Sequence, residues 1–170
     1  MGTIAFDTAL GRCGVAWSDA GITAVSLPGA RGLRGHPVED AHDLPAFVRR
    51  AIEGMRAVLA GAPDDLRDIP IDERGIDDFR CAVYAATRRI APGETRTYGH
   101  IARAIDRPEA ARDVGVALSR NPTPIIVPCH RVIAASGALT GFSAPGGIAT
   151  KRRMLELEGA PGYGQLSLFG

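Results

Sequence analysis

The chain has 170 residues, of which 45% are hydrophobic and 23% are charged, and its formal net charge is +1. This length suits one or two small domains with hydrophobic cores of their own, and the composition argues against disorder. No apolar run approaches the ~20 residues of a membrane span, and the first residues lack the basic and apolar regions of a secretion signal. We therefore predict a cytoplasmic protein without a membrane partner.

Acidic and basic residues are unevenly distributed along the chain. Residues 1–79 contain 8 Arg and 13 Asp or Glu, whereas residues 80–153 contain 12 Lys or Arg and 4 acids. The second stretch therefore has a balance of +8 and is a candidate surface for a polyanion such as a nucleic acid.

The chain has three cysteines, which are Cys13, Cys81 and Cys129. An odd number at wide spacing is not a disulfide framework and indicates free thiols in a reducing compartment. The four histidines form no ligand pairs with these cysteines at zinc-finger spacing, so we predict no metal site.

The N-terminal part predicts a small sheet covered by a helix. Alternating residues between glycine turns indicate a three-stranded meander, with strands over 3–8, 13–18 and 22–27. A helix is expected from about Asp43 to Gly61. The acidic, proline-broken stretch 62–75 indicates a linker with one short strand over 69–71. We place the boundary there, which gives domains 1–74 and 75–170.

The C-terminal part predicts three helices, over 79–90, 98–105 and 109–120. Asp77 or Asp78 can cap the first helix, and Pro108 with Glu109 marks the start of the third. The last two helices are short and joined by a tight turn in an Arg-rich region. This pattern is typical of a helix-turn-helix, whose second helix meets DNA.

Residues 121–133 are the segment that indicates chemistry. Several prolines stiffen the backbone before Cys129. Nucleophilic attack requires the thiolate, so the cysteine needs a base, and His130 is the nearest candidate. Adjacent side chains on an extended backbone point to opposite faces, so their contact requires a bridging water or a local bend. From these residues alone, a small buried structural cysteine remains an open alternative.

The string Pro128-Cys129-His130-Arg131-Val132, preceded by Asn121-Pro122, resembles the active-site signature of the O6-alkylguanine-DNA alkyltransferases. The resemblance extends over 79–159, with further matches at 93–99, 110–115, 136–138 and 157–159 and a looser one at 7–11. It implies an α+β fold with a ribonuclease H-like N-terminal domain and a winged helix-turn-helix C-terminal domain.

The resemblance also implies roles for individual residues. Cys129 would be the alkyl acceptor and His130 its water-linked base, with Glu158 orienting the imidazole. Asn121 would order the active-site loop through hydrogen bonds. Tyr98 would give a proton to the departing guanine, which otherwise carries negative charge.

A second set of implied residues concerns DNA and the lesion. Arg112 would replace the extruded nucleotide in the base stack, because O6 of guanine is shielded inside the duplex. The resemblance further implies DNA contacts by Ala111, Gly115 and Thr97, and a guanine pocket that includes Val132, Phe142, Ser143 and Leu118. Asp113 and Phe142 depart from the usual pattern, which predicts weaker DNA affinity and the loss of a phenol contact.

The predicted function is repair of double-stranded DNA by one irreversible transfer of an alkyl group from O6-alkylguanine, and by extension O4-alkylthymine, to Cys129. Turnover stops there because water cannot hydrolyse a thioether as it does an acyl-enzyme. We expect a monomer that needs no cofactor. Two alternatives fit part of the pattern. A non-catalytic lesion-binding or regulatory helix-turn-helix module would need no thiol, and a cysteine hydrolase would turn over repeatedly.

Overall fold

The computed structural model describes residues 1–30 and 43–163. These residues form an α+β fold with a three-stranded antiparallel sheet, a short parallel strand pair and five α-helices. Among the helices described, none is both long and apolar enough to cross a membrane.

The N-terminal sheet is a meander of β1 (Gly2–Thr8), β2 (Gly11–Trp17) and β3 (Ile22–Ser26), as predicted. Helix α1 (Ala46–Leu59) covers the sheet and buries an apolar face. The helix begins next to Pro45, as expected; Pro45 is its N-cap, and the proline carbonyl accepts a hydrogen bond from the Val48 amide.

The segment after α1 contacts the edge of the sheet at one point. Ile22 donates a backbone hydrogen bond to Pro70 and accepts one from Asp72, both 2.9 Å long. This is an isolated bridge between Ile22 and Ile71. The strand predicted over 69–71 is therefore too long, because only Ile71 pairs with the sheet. A proline and an acidic residue lie on either side of it.

The C-terminal part contains the remaining elements, α2 (Asp78–Thr87), β4 (Arg96–Thr97), α3 (Tyr98–Ala104), α4 (Ala111–Ser119), β5 (Val132–Ile133) and α5 (Gly147–Leu157). Asp77 caps α2 by accepting a hydrogen bond from the Arg80 amide. The predicted start of α4 at Glu109 is wrong, because residues 107–110 form a turn closed by the Ala110 amide and the Arg107 carbonyl. Helix α5 lies where no helix was predicted.

Three hydrophobic clusters lie under these elements, and two of them form the cores that position the site. The first joins the sheet and α1, and it also includes three residues from the C-terminal part, which are Ile125, Ile126 and Met154. The second joins α2, α3, α4 and β5 through the buried residues Val83, Tyr84, Ile90, Ile101, Ala102, Val114, Ala117, Leu118, Val127 and Val132. The segment before Cys129 thus passes between the two cores, which fixes its position.

Candidate active site

Cys129 lies in a short 3-10 turn, Cys129–Arg131, which runs directly into β5. The backbone is therefore not extended at this step, and it has the local bend that was one of the two alternatives. The Cys129 amide donates to the Val127 carbonyl at 2.8 Å, and the Arg131 amide donates to the Pro128 carbonyl at 2.9 Å. Both bonds hold the turn in which Cys129 lies.

Asn121 organises the loop that leads to this turn. Its Nδ2 donates to the Val127 carbonyl at 2.9 Å, and its Oδ1 accepts from the Thr123 amide at 3.0 Å. Ile125 in the same loop has φ of 73°, a left-handed conformation that β-branched residues rarely adopt. Such strain persists only where the surrounding structure enforces it, and Ile125 is buried in the first core. The loop is therefore held firmly in place.

His130 is fully buried and contacts Glu158, the residue predicted to orient its imidazole. Its Nε2 lies 2.8 Å from Oε1 of Glu158, whose side chain is also buried. Burial lowers the pKa of His130, while the carboxylate works in the opposite direction. A neutral imidazole with its proton on Nε2 donates to Glu158. Within the described part of the chain Nδ1 has no hydrogen-bond partner, so its lone pair can accept a proton.

Arg131 is a buried partner of Glu158 that was not predicted. Its Nη2 and Nε donate to the carboxylate at 2.6 and 3.0 Å, and its Nη1 donates to the Ile90 carbonyl at 2.7 Å. Burial raises the pKa of Glu158, but the attraction of His130 and Arg131 outweighs it and holds the pKa at about 2. The carboxylate is therefore charged, and the guanidinium neutralises it inside the protein.

Lys151 is a second buried cation that the sequence analysis did not identify. Its Nζ donates to the Val132 carbonyl at 2.7 Å, to the Thr140 carbonyl at 3.0 Å and to the Tyr98 hydroxyl at 3.4 Å. Burial lowers its pKa to about 8, and the nearby Cys129 opposes this shift. Lys151 is the only lysine in the chain. That rarity was the available signal, but it lay on a helix that was not predicted.

Tyr98 follows β4 and begins α3. Its hydroxyl donates to the Thr140 carbonyl at 3.1 Å and accepts from Lys151. Burial raises the pKa of Tyr98, so its phenol stays protonated at neutral pH and can serve as an acid.

The thiol of Cys129 is weakly acidic in this environment. Burial raises its pKa, and contacts with Asn121 and Lys151 offset only part of that effect. The resting side chain is therefore a thiol that needs a base before its sulfur can attack.

Cys129 lines an apolar cavity of about 190 Å³, called here the Cys129 cavity. Three of the predicted pocket residues line it as well, Leu118, Phe142 and Ser143. Ser143 also donates a hydrogen bond to the Ser119 carbonyl at 2.7 Å. Val132 does not line this cavity, because its side chain lies in the second core and its carbonyl accepts from Lys151.

A larger, open cleft of about 850 Å³ lies between α3 and α4. The predicted DNA-contacting residues line it together, Arg112, Ala111, Gly115 and Thr97, along with Tyr98. The Arg112 side chain is exposed, whereas Thr97 caps α3 by accepting from the His100 amide at 3.1 Å. Asp113 lines a different cleft, in the company of Arg80, Arg107 and Arg120. The carboxylates of Asp77 and Glu109 line the same cleft.

The residues that the structure describes contain no group of three or more side chains suited to hold a metal ion. All three cysteines are free thiols. The candidate site is therefore built from Cys129, His130, Glu158 and the two buried cations, with an apolar cavity on one side and an open cleft nearby.

Comparison with known proteins agrees with this geometry. Residues 78–160 match the family described as the DNA-binding domain of 6-O-methylguanine DNA methyltransferase. A methylated-DNA–protein-cysteine methyltransferase of Methanosarcina acetivorans is 38% identical over 91% of this chain and 96% of its own. The protein of that name from Mycobacterium bovis is 47% identical over 74% of this chain and 73% of its own.

Solved structures show the same relationship. The crystal structure of Mycobacterium tuberculosis OGT in complex with DNA matches with a TM-score of 0.76 and 38% identity. The match covers 95% of this chain and 96% of that one. The site and fold define a protein that can activate a cysteine beside a cleft suited to DNA. The chain belongs to the methylated-DNA–protein-cysteine methyltransferase family.

Proposed function

We propose that this protein repairs double-stranded DNA by transferring an alkyl group from O6 of guanine to the sulfur of Cys129. The observation that carries the proposal is the buried pair of His130 and Glu158, in which His130 directly follows the cysteine and Nδ1 of its imidazole is left to accept a proton. This arrangement follows the logic of a catalytic triad with a thiol as nucleophile.

The reaction has one bond-making and one bond-breaking event. His130 takes the thiol proton, directly or through a water, and Glu158 stabilises the resulting imidazolium. The sulfur attacks the alkyl carbon, the S–C bond forms, and the C–O6 bond breaks with its electron pair left on guanine. Tyr98 then gives a proton to the guanine ring. Exchange with solvent then removes the extra proton from His130 and returns one to the Tyr98 phenolate. The thiol proton is thereby matched by the proton on guanine, and the thioether makes the protein single-use.

Lys151 supports both ends of this transfer. Its positive charge favours the thiolate of Cys129, and its hydrogen bond holds the Tyr98 hydroxyl. Asn121 fixes the loop before the nucleophile, and the Cys129 cavity receives the reacting group. We retain Val132, through its backbone, with Leu118, Phe142 and Ser143 as parts of the guanine pocket.

For DNA binding we propose that α3 and α4 form the helix-turn-helix of a winged domain, with α4 as the recognition helix. The support is the open cleft between these helices, where small residues Ala111 and Gly115 permit close approach and Thr97 lies at the rim. The target base leaves the stack to reach Cys129, and the exposed Arg112 fills the space.

Further parts of the proposal concern the whole chain. Residues 1–74 form a ribonuclease H-like scaffold, and residues 75–170 bind DNA and accept the alkyl group. The protein works as a monomer without a cofactor, and it accepts O4-alkylthymine as a second lesion. The free thiols favour the reducing cytoplasm as its compartment.

The test is an intact-mass measurement after incubation with a duplex that contains O6-methylguanine. The wild-type protein should gain the mass of one methyl group, located on the peptide that contains Cys129. Cys129→Ala should gain none and still bind the duplex. Cys81→Ala is the matched control. Cys81 is also a partly buried free thiol, but it lies on α2, so this variant should gain the methyl group as the wild type does. An unmodified Cys129 after DNA binding would end the proposal and favour a non-catalytic module.

A further inference from the structure

Val116 is an apolar side chain on the outer surface of α4. It is 45% exposed, and among the described residues the other exposed large hydrophobic side chains are Met1 and Ile148. Single exposed apolar residues are common on protein surfaces and need no explanation by themselves. Val116 differs from the other two because it lies on the proposed recognition helix.

Val116 occupies the outward crest of that helix. It lines the open cleft between α3 and α4, and it also lines the cleft of about 430 Å³ on the α2 side of the helix. The buried face of α4, formed by Val114, Ala117 and Leu118, packs into the second core. A residue that borders both clefts lies between them, away from the core. Val116 is therefore among the first side chains of α4 to meet DNA when the helix enters a groove.

The position of Val116 relative to Arg112 places it close to the lesion. Residues four apart are neighbours on one face of a helix, separated by about 6 Å along its axis. Successive nucleotides of a strand are about 3.4 Å apart along the duplex. In the proposed function Arg112 fills the space of the extruded guanine. Val116 then reaches the base pairs within about two steps of that guanine.

An apolar side chain distinguishes A·T from G·C pairs in either groove. In the major groove thymine presents a C5-methyl group, which is an apolar partner for valine, whereas cytosine presents an amino donor. In the minor groove guanine presents its N2 amino donor, and A·T pairs present acceptors only. Valine cannot accept a hydrogen bond, so an amino group that it shields from water is left unpaired at a cost. Both grooves therefore give the same preference.

We propose that Val116 gives this protein a preference for lesions flanked by A·T base pairs. The inference rests on the proposed function and adds a sequence context to it. Val116 is partly in water in the free protein, so its contact with a base pair is new apolar burial. The β-branched side chain has one strongly preferred rotamer in a helix, and it loses little freedom when the contact forms.

The test measures second-order rate constants for methyl transfer from two duplexes. O6-methylguanine is flanked on each side by two A·T pairs in one duplex and by two G·C pairs in the other. The variant Val116→Thr keeps the shape of valine and replaces one methyl group by a hydroxyl. The A·T-to-G·C rate ratio should be about 4-fold higher for the wild type than for Val116→Thr, which is the factor for one buried methyl group. Comparing proteins on the same duplexes cancels the different ease with which the two flanks release a base.

Two edited duplexes identify the group that Val116 contacts. Uracil in place of thymine removes the C5-methyl group, and inosine in place of guanine removes the N2 amino group. A major-groove contact predicts that uracil lowers the wild-type ratio to that of Val116→Thr. A minor-groove contact predicts the same result from inosine. Neither edit should change the ratio of Val116→Thr by a comparable factor.

Ile148→Thr is the matched control, because Ile148 is 48% exposed on α5 and lines neither cleft. It should keep the wild-type ratio, whereas Val116→Ala, with its shorter side chain, should lower it. An equal ratio in the wild type and both Val116 variants, or a wild-type ratio that neither edited base reduces, would overturn the inference and leave the proposed function intact. Absence of methyl transfer from every duplex would overturn both.

Discussion

Replacing Glu158 by glutamine keeps the size of the side chain and removes the negative charge that His130 and Arg131 share. In Glu158→Gln the Arg131 guanidinium becomes a buried cation without a carboxylate, although its bond to the Ile90 carbonyl remains. Breaking a buried ion pair in this way costs about 3 to 5 kcal/mol. We therefore expect a large loss of stability from a change of a few atoms.

The pKa of Glu158 gives a second route to the magnitude of the same interactions. The value of about 2 in the folded protein lies below the usual value of 4.5. At 1.36 kcal/mol per pKa unit, this difference corresponds to about 3 kcal/mol of stability at neutral pH. Because the folded-state pKa is the lower one, the unfolded chain binds this proton first as the pH falls. The contribution is therefore complete above about 4.5 and is lost between about 4.5 and 2.

The assay is urea unfolding of wild-type and Glu158→Gln proteins at a series of pH values. At neutral pH the variant should be about 3 kcal/mol less stable, which lowers the melting temperature by about 6 to 12 °C for a chain of this size. The difference should shrink as the pH falls below 4.5. Using the difference between the proteins removes the effect of every other carboxylate.

Glu156→Gln is the matched control, because Glu156 lies on α5 two residues before Glu158. Among the described residues, Glu156 pairs only with Arg153, at 3.6 Å and near the surface, so its loss should cost less than about 1 kcal/mol. Equal stability of Glu158→Gln and the wild type at neutral pH would refute the reasoning. A stability difference between the two proteins that stays constant down to low pH would also refute it, because the negative charge of Glu158 would then contribute nothing to stability.

Two further outcomes are expected. Lys151→Met should slow alkyl transfer by about 10² or more. The wild-type rate should decline above pH of about 8, where Lys151 loses its proton, and the variant should lack this decline. Single-turnover rates measured across that pH range would contradict this prediction if both proteins gave the same profile. Gly115→Ala should raise stability by about 0.5 to 1 kcal/mol, because helix α4 gains a better helix former whose Cβ meets the Tyr98 ring at an ordinary 3.7 Å. The same change should weaken duplex binding if α4 enters a groove, and unchanged affinity in a fluorescence titration would contradict the placement of that helix.

The local pattern of the chain was enough to predict most elements. The meander and α1 follow from alternation, glycine turns and an apolar face, all of which are properties of neighbouring residues. The start of α4 was misplaced because Pro108 can begin a helix or stand in a turn, and only the packing of Ala110 decides between them. Helix α5 was missed because its apolar residues are few and its first residue is a glycine.

For the candidate site, the residue types supplied the possible chemistry, since Cys129, His130 and Tyr98 offer a nucleophile, a base and an acid. Their roles followed from the family resemblance, because the residues alone also allowed a structural cysteine. Tertiary structure alone brought Glu158 to His130 and added Arg131 and Lys151 as buried cations. It also placed Val25 and Leu27, from the N-terminal part of the chain, in the lining of the Cys129 cavity. The reason is that burial and charge pairing depend on contacts between residues far apart in the chain, and no local spacing encodes them.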